Sequence, residues 1–216
     1  MIRVANHPEK YSKDEQYDCA MSLIKKVFDK CKIKVEVYGL ENIPKEDGFY
    51  LCSNLQEKFD SLAIWYTFPR QIGVILNDKA THRPFINEIC KLIKSKRLIQ
   101  KDVHSNLKMM YEIVDDLKNK QNYMFFSEGY YEKDFSILED FKEGSFKSPK
   151  RAKCPILPVC IVNSYAIFDK GYKTTKPIEI HYLKPILPEE YASNSTHEIS
   201  CMVRPRIQTA LDEFQQ

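Results

Sequence analysis

Short apolar runs that alternate with segments of helical period constrain this chain more than any other feature. Residues 34–38, 49–53, 72–76, 98–99, 123–126, 155–162 and 178–186 read as strands, bounded by turn chemistry such as Pro44 and Glu46-Asp47-Gly48. Between them lie helical patterns. Tyr17, Ala20, Met21, Ile24, Val27 and Phe28 recur at helical spacing, with Lys25, Lys26 and Lys30 elsewhere around the wheel. Residues 59–68 form a helix that stops before Pro69, 84–93 another, and Leu107, Met110, Tyr111, Val114 and Leu117 mark a third. Ser195 and Glu198 make a capping-box pair that opens a final helix, in which Pro205 predicts a kink or a split. No repeat or long linker interrupts the alternation. The expectation is one α/β domain over residues 1–216, a central mixed sheet flanked by helices, with residues 13–33 as an N-terminal amphipathic helix.

Several classes of function fall away on composition. With 216 residues, 43% hydrophobic and 29% charged, the chain is long enough for a full core. The apolar runs 61–68 and 154–162 are far shorter than the roughly 18 residues a spanning helix needs, so no membrane span is expected. Residues 1–14 are polar and carry no apolar signal region, which argues against export. Seven cysteines without a C-x-x-C pair suit a reducing, cytoplasmic setting, because an odd number cannot all pair. A net charge of +3 is too mild for nucleic acid, yet compatible with an anionic membrane surface. The lysine-bearing helix fits either role equally, packed on the core or in peripheral contact with a membrane.

Five further blocks follow a fixed order. Val35-Glu36-Val37-Tyr38-Gly39-Leu40-Glu41-Asn42-Ile43-Pro44 leads into the second strand, after which come Ser53, Asn54, Leu55 and Gln56, with Asp60 five residues beyond Leu55. Phe126-Ser127-Glu128-Gly129, Phe141-Lys142-Glu143-Gly144-Ser145-Phe146 and Ile156-Leu157-Pro158-Val159 stand downstream. In this order they resemble the glycerolipid acyltransferases of the PlsC, or lysophosphatidic acid acyltransferase, type. The resemblance covers roughly residues 34–188. Its active-site segment is N-H-x-x-x-x-D, and Leu55 stands where the histidine is found.

The resemblance implies transfer of a fatty acyl group from an acyl-CoA or acyl-carrier-protein thioester to a lysophospholipid hydroxyl, without metal or redox cofactor. It places Asp60 and the position of Leu55 in the catalytic pair. Asn54, Lys101, Ser127, Glu128, Gly129, Lys142 and Gly144 become substrate-binding candidates. The chemistry asks for an imidazole to take the hydroxyl proton while the aspartate orients it. Leu55 has no lone pair for that proton. General-base assistance is typically worth about 10² to 10⁴ in rate, so its loss predicts a stable but slow protein. Two more departures bear on the acceptor. Tyr130-Tyr131 replaces the family's usual Thr-Arg, and Lys101 stands where an arginine is common, keeping charge without the bidentate fork.

Bland readings compete with each assignment. Asp60 alone reads as a helix N-terminal residue favoured by the dipole, Glu128-Gly129 as a loop, and the paired tyrosines as rim residues. His82, His104, His181 and His197 are replacement bases in principle, although none adjoins position 55; Glu57 is nearer. The family order favours an acyltransferase, impaired at Leu55, over a silent relative that binds lipid, acyl thioester or a protein partner. If so, strands ending at Ser53 and Phe126 should lie side by side and gather Leu55, Asp60 and Glu128 around one cleft.

Overall fold

The computed structural model describes residues 2–57, 59–82, 84–93, 95–128, 137–168 and 176–214. The chain opens with α1 (Ile2–Asn6) and α2 (Lys13–Cys31), then β1 (Val35–Tyr38), β2 (Tyr50–Ser53), α3 (Asp60–Thr67) and β3 (Gly73–Asn77). Next come α4 (Asp78–Thr81), α5 (Pro84–Leu92), β4 (Lys96–Leu98), α6 (Val103–Lys118) and β5 (Tyr123–Phe126). The remainder is α7 (Lys147–Ala152), β6 (Ile156–Val162), β7 (Ile178–Tyr182), α8 (Pro188–Tyr191) and α9 (Thr196–Phe214). Among the described residues the strands make one seven-stranded sheet in the order β1-β7-β6-β2-β5-β3-β4. Only β6 and β7 pair antiparallel, so the sheet is mixed, as expected. The carboxyl ends of β6, β2, β5, β3 and β4 therefore share one edge.

The continuous apolar runs of β2, β5 and β6 are buried throughout, the mark of central parallel strands covered on both faces. Alternate side chains feed different layers. Leu51, Met124, Leu157, Val159 and Ile161 meet α2 and α3 through Ile24, Phe28, Ile64 and Trp65. Cys52, Ile156, Cys160 and Val162 meet α9 through Ile199, Val203, Ile207 and Leu211, and Tyr50, Tyr123 and Phe125 meet α6 through Ile113 and Leu117. At the start of this frame, Gly39 takes φ +73°, where a Cβ would come within 2.2 Å of the Tyr182 carbonyl. Asn42 donates to that same carbonyl at 2.8 Å. Both features of the turn thus tie β1 to β7.

The structure shifts some expected boundaries for local reasons. The N-terminal helix ends at Cys31 rather than residue 33, because Lys32 adopts a left-handed conformation at φ 54° and closes the last turn. The strand expected at 98–99 is Lys96–Leu98 instead. Asn106 takes both backbone groups of Ile99, accepting from its N–H at 2.9 Å and donating to its carbonyl at 2.7 Å. The strand expected to reach 186 stops at Tyr182, and Ile186 returns as an isolated antiparallel bridge to Ile156; Pro185, just before it, has no N–H to offer a ladder. Pro205 does not split α9. It lies on the exposed face, as does Cys201, whose carbonyl loses the bond, and water can serve that carbonyl there.

Candidate active site

Ser53 of β2 stands opposite Phe126 of β5 in a parallel pair, so the segments after both strands emerge side by side. Leu55 and Glu128 meet at that point. The Leu55 N–H donates to Glu128 Oε1 at 2.8 Å, and Glu128 Oε2 accepts from the Glu139 N–H at 2.8 Å. One carboxylate thereby joins two loops. Glu128 is 3% exposed, and burial pushes its carboxyl up to about 7 despite the two N–H donors and the nearby Arg204 charge.

Asp60 opens α3, and its Oδ2 accepts from the N–H groups of Gln56 at 2.7 Å and Glu57 at 3.0 Å. The aspartate thus folds the connecting loop back on itself, with its charge at the N-terminal end of the helix. Its other oxygen, Oδ1, is buried without a hydrogen-bond partner. Burial raises this carboxyl to about 7, against the pull of the nearby Ser164 hydroxyl, whose own hydrogen bond goes to Gln56 Oε1 at 3.3 Å, and of the two N–H groups. The side chain of Leu55 is half-buried against the main core and offers that oxygen nothing.

Other candidates serve as anchors. Asn54 is 1% exposed and donates to the Ile161 carbonyl at 2.9 Å while accepting from the Ile161 N–H at 2.7 Å, extending the β2–β6 pairing by a side chain. Gln56 Oε1 accepts from the Ser164 N–H at 3.1 Å, while Gln56 Nε2 is buried without a partner. The Ser127 hydroxyl lies 3.0 Å from Cys52 Sγ, and the Ser127 carbonyl accepts from the Lys142 N–H at 2.8 Å. That last bond ties the 141–146 block to the end of β5. Lys142 and Gly144 are exposed, and a Cβ on Gly144 would meet nothing within 4 Å, so the fold itself makes no demand for glycine there.

Two assignments stand apart from this cluster. Lys101 is exposed at φ 68° beyond β4, three strand spacings from β2, on the order of 14 Å across the sheet. Gly129, Tyr130 and Tyr131 lie outside the described residues. The histidines are engaged elsewhere: His82 with Asp78 at 2.9 Å, His181 with Glu179 at 3.0 Å and His197 with Glu143 at 2.9 Å, while His104 is exposed in the first turn of α6. Glu57 contributes its N–H to Asp60, as above. Among the described residues no group of three His, Cys, Asp or Glu side chains is placed to hold a metal. A cavity of about 290 Å³ lined by Tyr17, Arg70, Gln71 and Asn122 opens at the amino ends of β3 and β5, the edge away from Leu55.

Sequence reasoning missed Glu139, Ser164 and Arg204. Arg204, on α9, binds the carbonyls of Leu138 and Glu139, the latter at 3.1 Å, and so holds the loop that reaches Glu128. None carries a local signal: Arg204 and Ser164 act across 65 and 108 residues, and Glu139 reaches Glu128 across 11 through its backbone alone.

The family model described as Acyltransferase matches residues 34–162, more than half the chain and every element from β1 to β6. This chain belongs to the Acyltransferase family. It is 25% identical over 192 residues to a 1-acyl-sn-glycerol-3-phosphate acyltransferase of Saccharomyces cerevisiae, covering 84% of this chain and 61% of the yeast protein. The enzyme of that name from Borreliella burgdorferi is 24% identical over 139 residues, covering 64% of this chain and 55% of its own length. This acyltransferase-family chain therefore spans less than two thirds of the curated relatives it matches. The crystal structure of the 1-acyl-sn-glycerophosphate acyltransferase PlsC from Thermotoga maritima shares the fold, with a TM-score of 0.73 at 24% identity over 91% of this chain and 78% of that one.

Proposed function

We propose that this protein transfers a fatty acyl group from an acyl-CoA or acyl-carrier-protein thioester to a lysophospholipid-type hydroxyl, at a rate limited by Leu55. The observation that carries this reading is the junction of the Leu55, Asp60 and Glu128 segments on the carboxyl edge of the sheet, where open α/β sheets bind ligands, in a chain of the acyltransferase family. The hydroxyl oxygen would attack the thioester carbonyl, forming an ester and releasing the thiol. Proximity can supply part of the barrier reduction without a base. The hydroxyl proton has no imidazole to receive it at position 55, and Asp60 Oδ1 has none to orient. The reaction would take place in the cytoplasm, at the face of a membrane from which the acceptor is drawn.

The second reading is a silent relative that binds lipid, acyl thioester or a protein partner. It draws on the same vacancy: Leu55 carries no proton acceptor, and Asp60 Oδ1 is buried without a partner. Mass spectrometry of lipid products from purified protein, with acyl-CoA and acyl-carrier protein as donors and a panel of lysophospholipids as acceptors, separates the two. New diacyl product above the uncatalysed level supports transfer. Binding of lysolipid without product at any enzyme concentration supports the silent reading.

A further inference from the structure

A second constellation of nucleophile, imidazole and carboxylate lies on the outer face of α9. Cys201 Sγ is 3.7 Å from His197 Nε2, one helical turn away, and His197 Nδ1 is 2.9 Å from Glu143 Oε1. All three side chains reach solvent. With its Nδ1–H donated to the carboxylate, the ring turns the Nε2 lone pair toward the thiol, the order of parts found in activated nucleophiles generally. Glu143 follows Lys142, whose N–H is bonded to the Ser127 carbonyl at the end of β5, so the group adjoins the rim that carries Leu55 and Glu128. Beside it, the space over Gly144 is open.

The surroundings indicate the charge of an incoming electrophile. The segment that carries Glu143 is basic in sequence, with Lys142, Lys147, Lys150, Arg151 and Lys153 against Glu143 between residues 142 and 153; of these Lys150 reaches the start of α9 by bonding the Asn194 carbonyl, where Glu198 beside His197 adds one negative charge. Such a field gathers polyanions. We propose that Cys201 is an acyl-accepting thiol for thioesters of a phosphopantetheine arm, with His197 as its base and Glu143 positioning the ring. The thiol proton passes to His197 Nε2, Sγ forms a bond to the thioester carbonyl carbon, and the bond from that carbon to the donor sulfur breaks. His197 returns its proton to the departing thiolate. The products are an S-acyl cysteine and free donor thiol, with no change of oxidation state. The choice of electrophile rests on the thioester donor proposed above; the nucleophile itself does not.

The other exposed cysteine, Cys31, ends α2 and serves as an internal reference. Purified protein is incubated separately with palmitoyl-CoA, palmitoyl-carrier protein, the uncharged palmitoyl thioester of N-acetylcysteamine and iodoacetamide, and labelling of each cysteine is timed by peptide mass spectrometry. Cys201 should acylate about tenfold or more faster than Cys31, a modest share of the 10² to 10⁴ of general-base assistance, and the label should be released by neutral hydroxylamine. Palmitoyl-CoA and the carrier-protein donor, which carry negative charge, should each outpace the uncharged thioester; whichever of the two is faster identifies the source. His197→Gln should bring Cys201 to the rate of Cys31. Glu143→Ala should slow it as well, yet add nothing in the His197→Gln background, a dependence that a merely structural role would not show. Equal alkylation of the two cysteines by iodoacetamide, or an unchanged rate in His197→Gln, would overturn the nucleophile. Selective alkylation without acylation by any thioester would overturn the assigned electrophile. Lysolipid acylation, measured in parallel with Cys201→Ser, reports on the proposed function alone.

Discussion

Leu55 and Glu128 are 73 positions apart, yet the backbone N–H of the first donates to the carboxylate of the second at 2.8 Å. The contact uses only the backbone N–H of Leu55, so it does not depend on the side chain there unless the residue is proline. The other oxygen of Glu128 is equally committed, to the Glu139 N–H.

Glu128→Gln should therefore destabilise the fold even though size and shape are kept. One of the two oxygens becomes an amide nitrogen that faces an N–H and cannot accept from it. A buried donor left unsatisfied costs about 1 to 3 kcal/mol, which in a domain of this size lowers Tm by roughly 2 to 10 °C. Because the substitution also removes a raised ionisation, which opposes the lost bond at high pH, thermal unfolding is compared at pH 7.5 and pH 5, and a Tm at or above the parent's at both would remove Glu128 from the structural framework.

Asp60 and Glu128 also set a pH dependence. Burial raises both carboxyls to about 7, from ordinary values of 3.8 and 4.5. Between pH 4 and 7 the folded chain then holds protons that the unfolded chain has released, so these groups lower stability as pH rises through that window. Below about pH 4 both states are protonated and the effect is absent. Asp60→Asn keeps an oxygen for the Gln56 and Glu57 N–H groups and removes the ionisation. Its Tm should fall less than that of the parent between pH 4 and 7, and should exceed the parent's at pH 8. Parallel Tm curves for the two proteins would refute the raised Asp60.

At a membrane, α2 can offer charge but not its apolar stripe. Ala20, Ile24 and Phe28 are buried, and Phe28 stacks on Tyr66 at 4.4 Å. Lys25, Lys26 and Lys30 face solvent. Binding to anionic vesicles should accordingly weaken with salt, and replacing the three lysines by glutamine should reduce it on the order of 100-fold, from about 1 kcal/mol per lysine. Equal partition of the parent into neutral and anionic vesicles at low salt would exclude this contact.

What could be read in advance followed local periodicity. The unbroken apolar runs at 49–53 and 123–126 identify strands, and burial on both faces is why they need no polar alternation; the α2 stripe identifies a helix, while its packing on the core rather than a membrane is decided by the structure, which buries Ala20, Ile24 and Phe28. Ser195 and Glu198 cap α9 with both expected bonds, at 3.2 and 2.6 Å. By contrast, Asn54 spans 107 residues to reach Ile161, and Arg204 reaches back to Glu139. Such bonds depend on which strands become neighbours, a choice that leaves no period in the chain. The role of Ile99 was hidden for a similar reason, since Asn106 competes for the backbone groups a strand would have used.

The vacancy at position 55 can be tested directly. Asp60 Oδ2 is held by two N–H groups, while Oδ1 is buried and unpartnered, and Leu55, five residues earlier, carries only carbon in its side chain. Leu55→His would bring a ring whose N–H can satisfy that oxygen, offsetting part of the cost of burying the imidazole, and whose other nitrogen can take a proton from an acceptor hydroxyl. Because the Leu55 N–H bond to Glu128 is unaffected, the fold should persist with little change in Tm. Turnover of acyl-CoA with a hydroxylated lysolipid should rise by about 10² or more, on the scale of general-base assistance. That gain should vanish in Leu55→His combined with Asp60→Ala, which separates an oriented base from a merely added one. If Leu55→His folds and binds acyl-CoA but transfers nothing to any lysolipid, the missing base is not what limits the reaction, and the silent-binder reading takes its place.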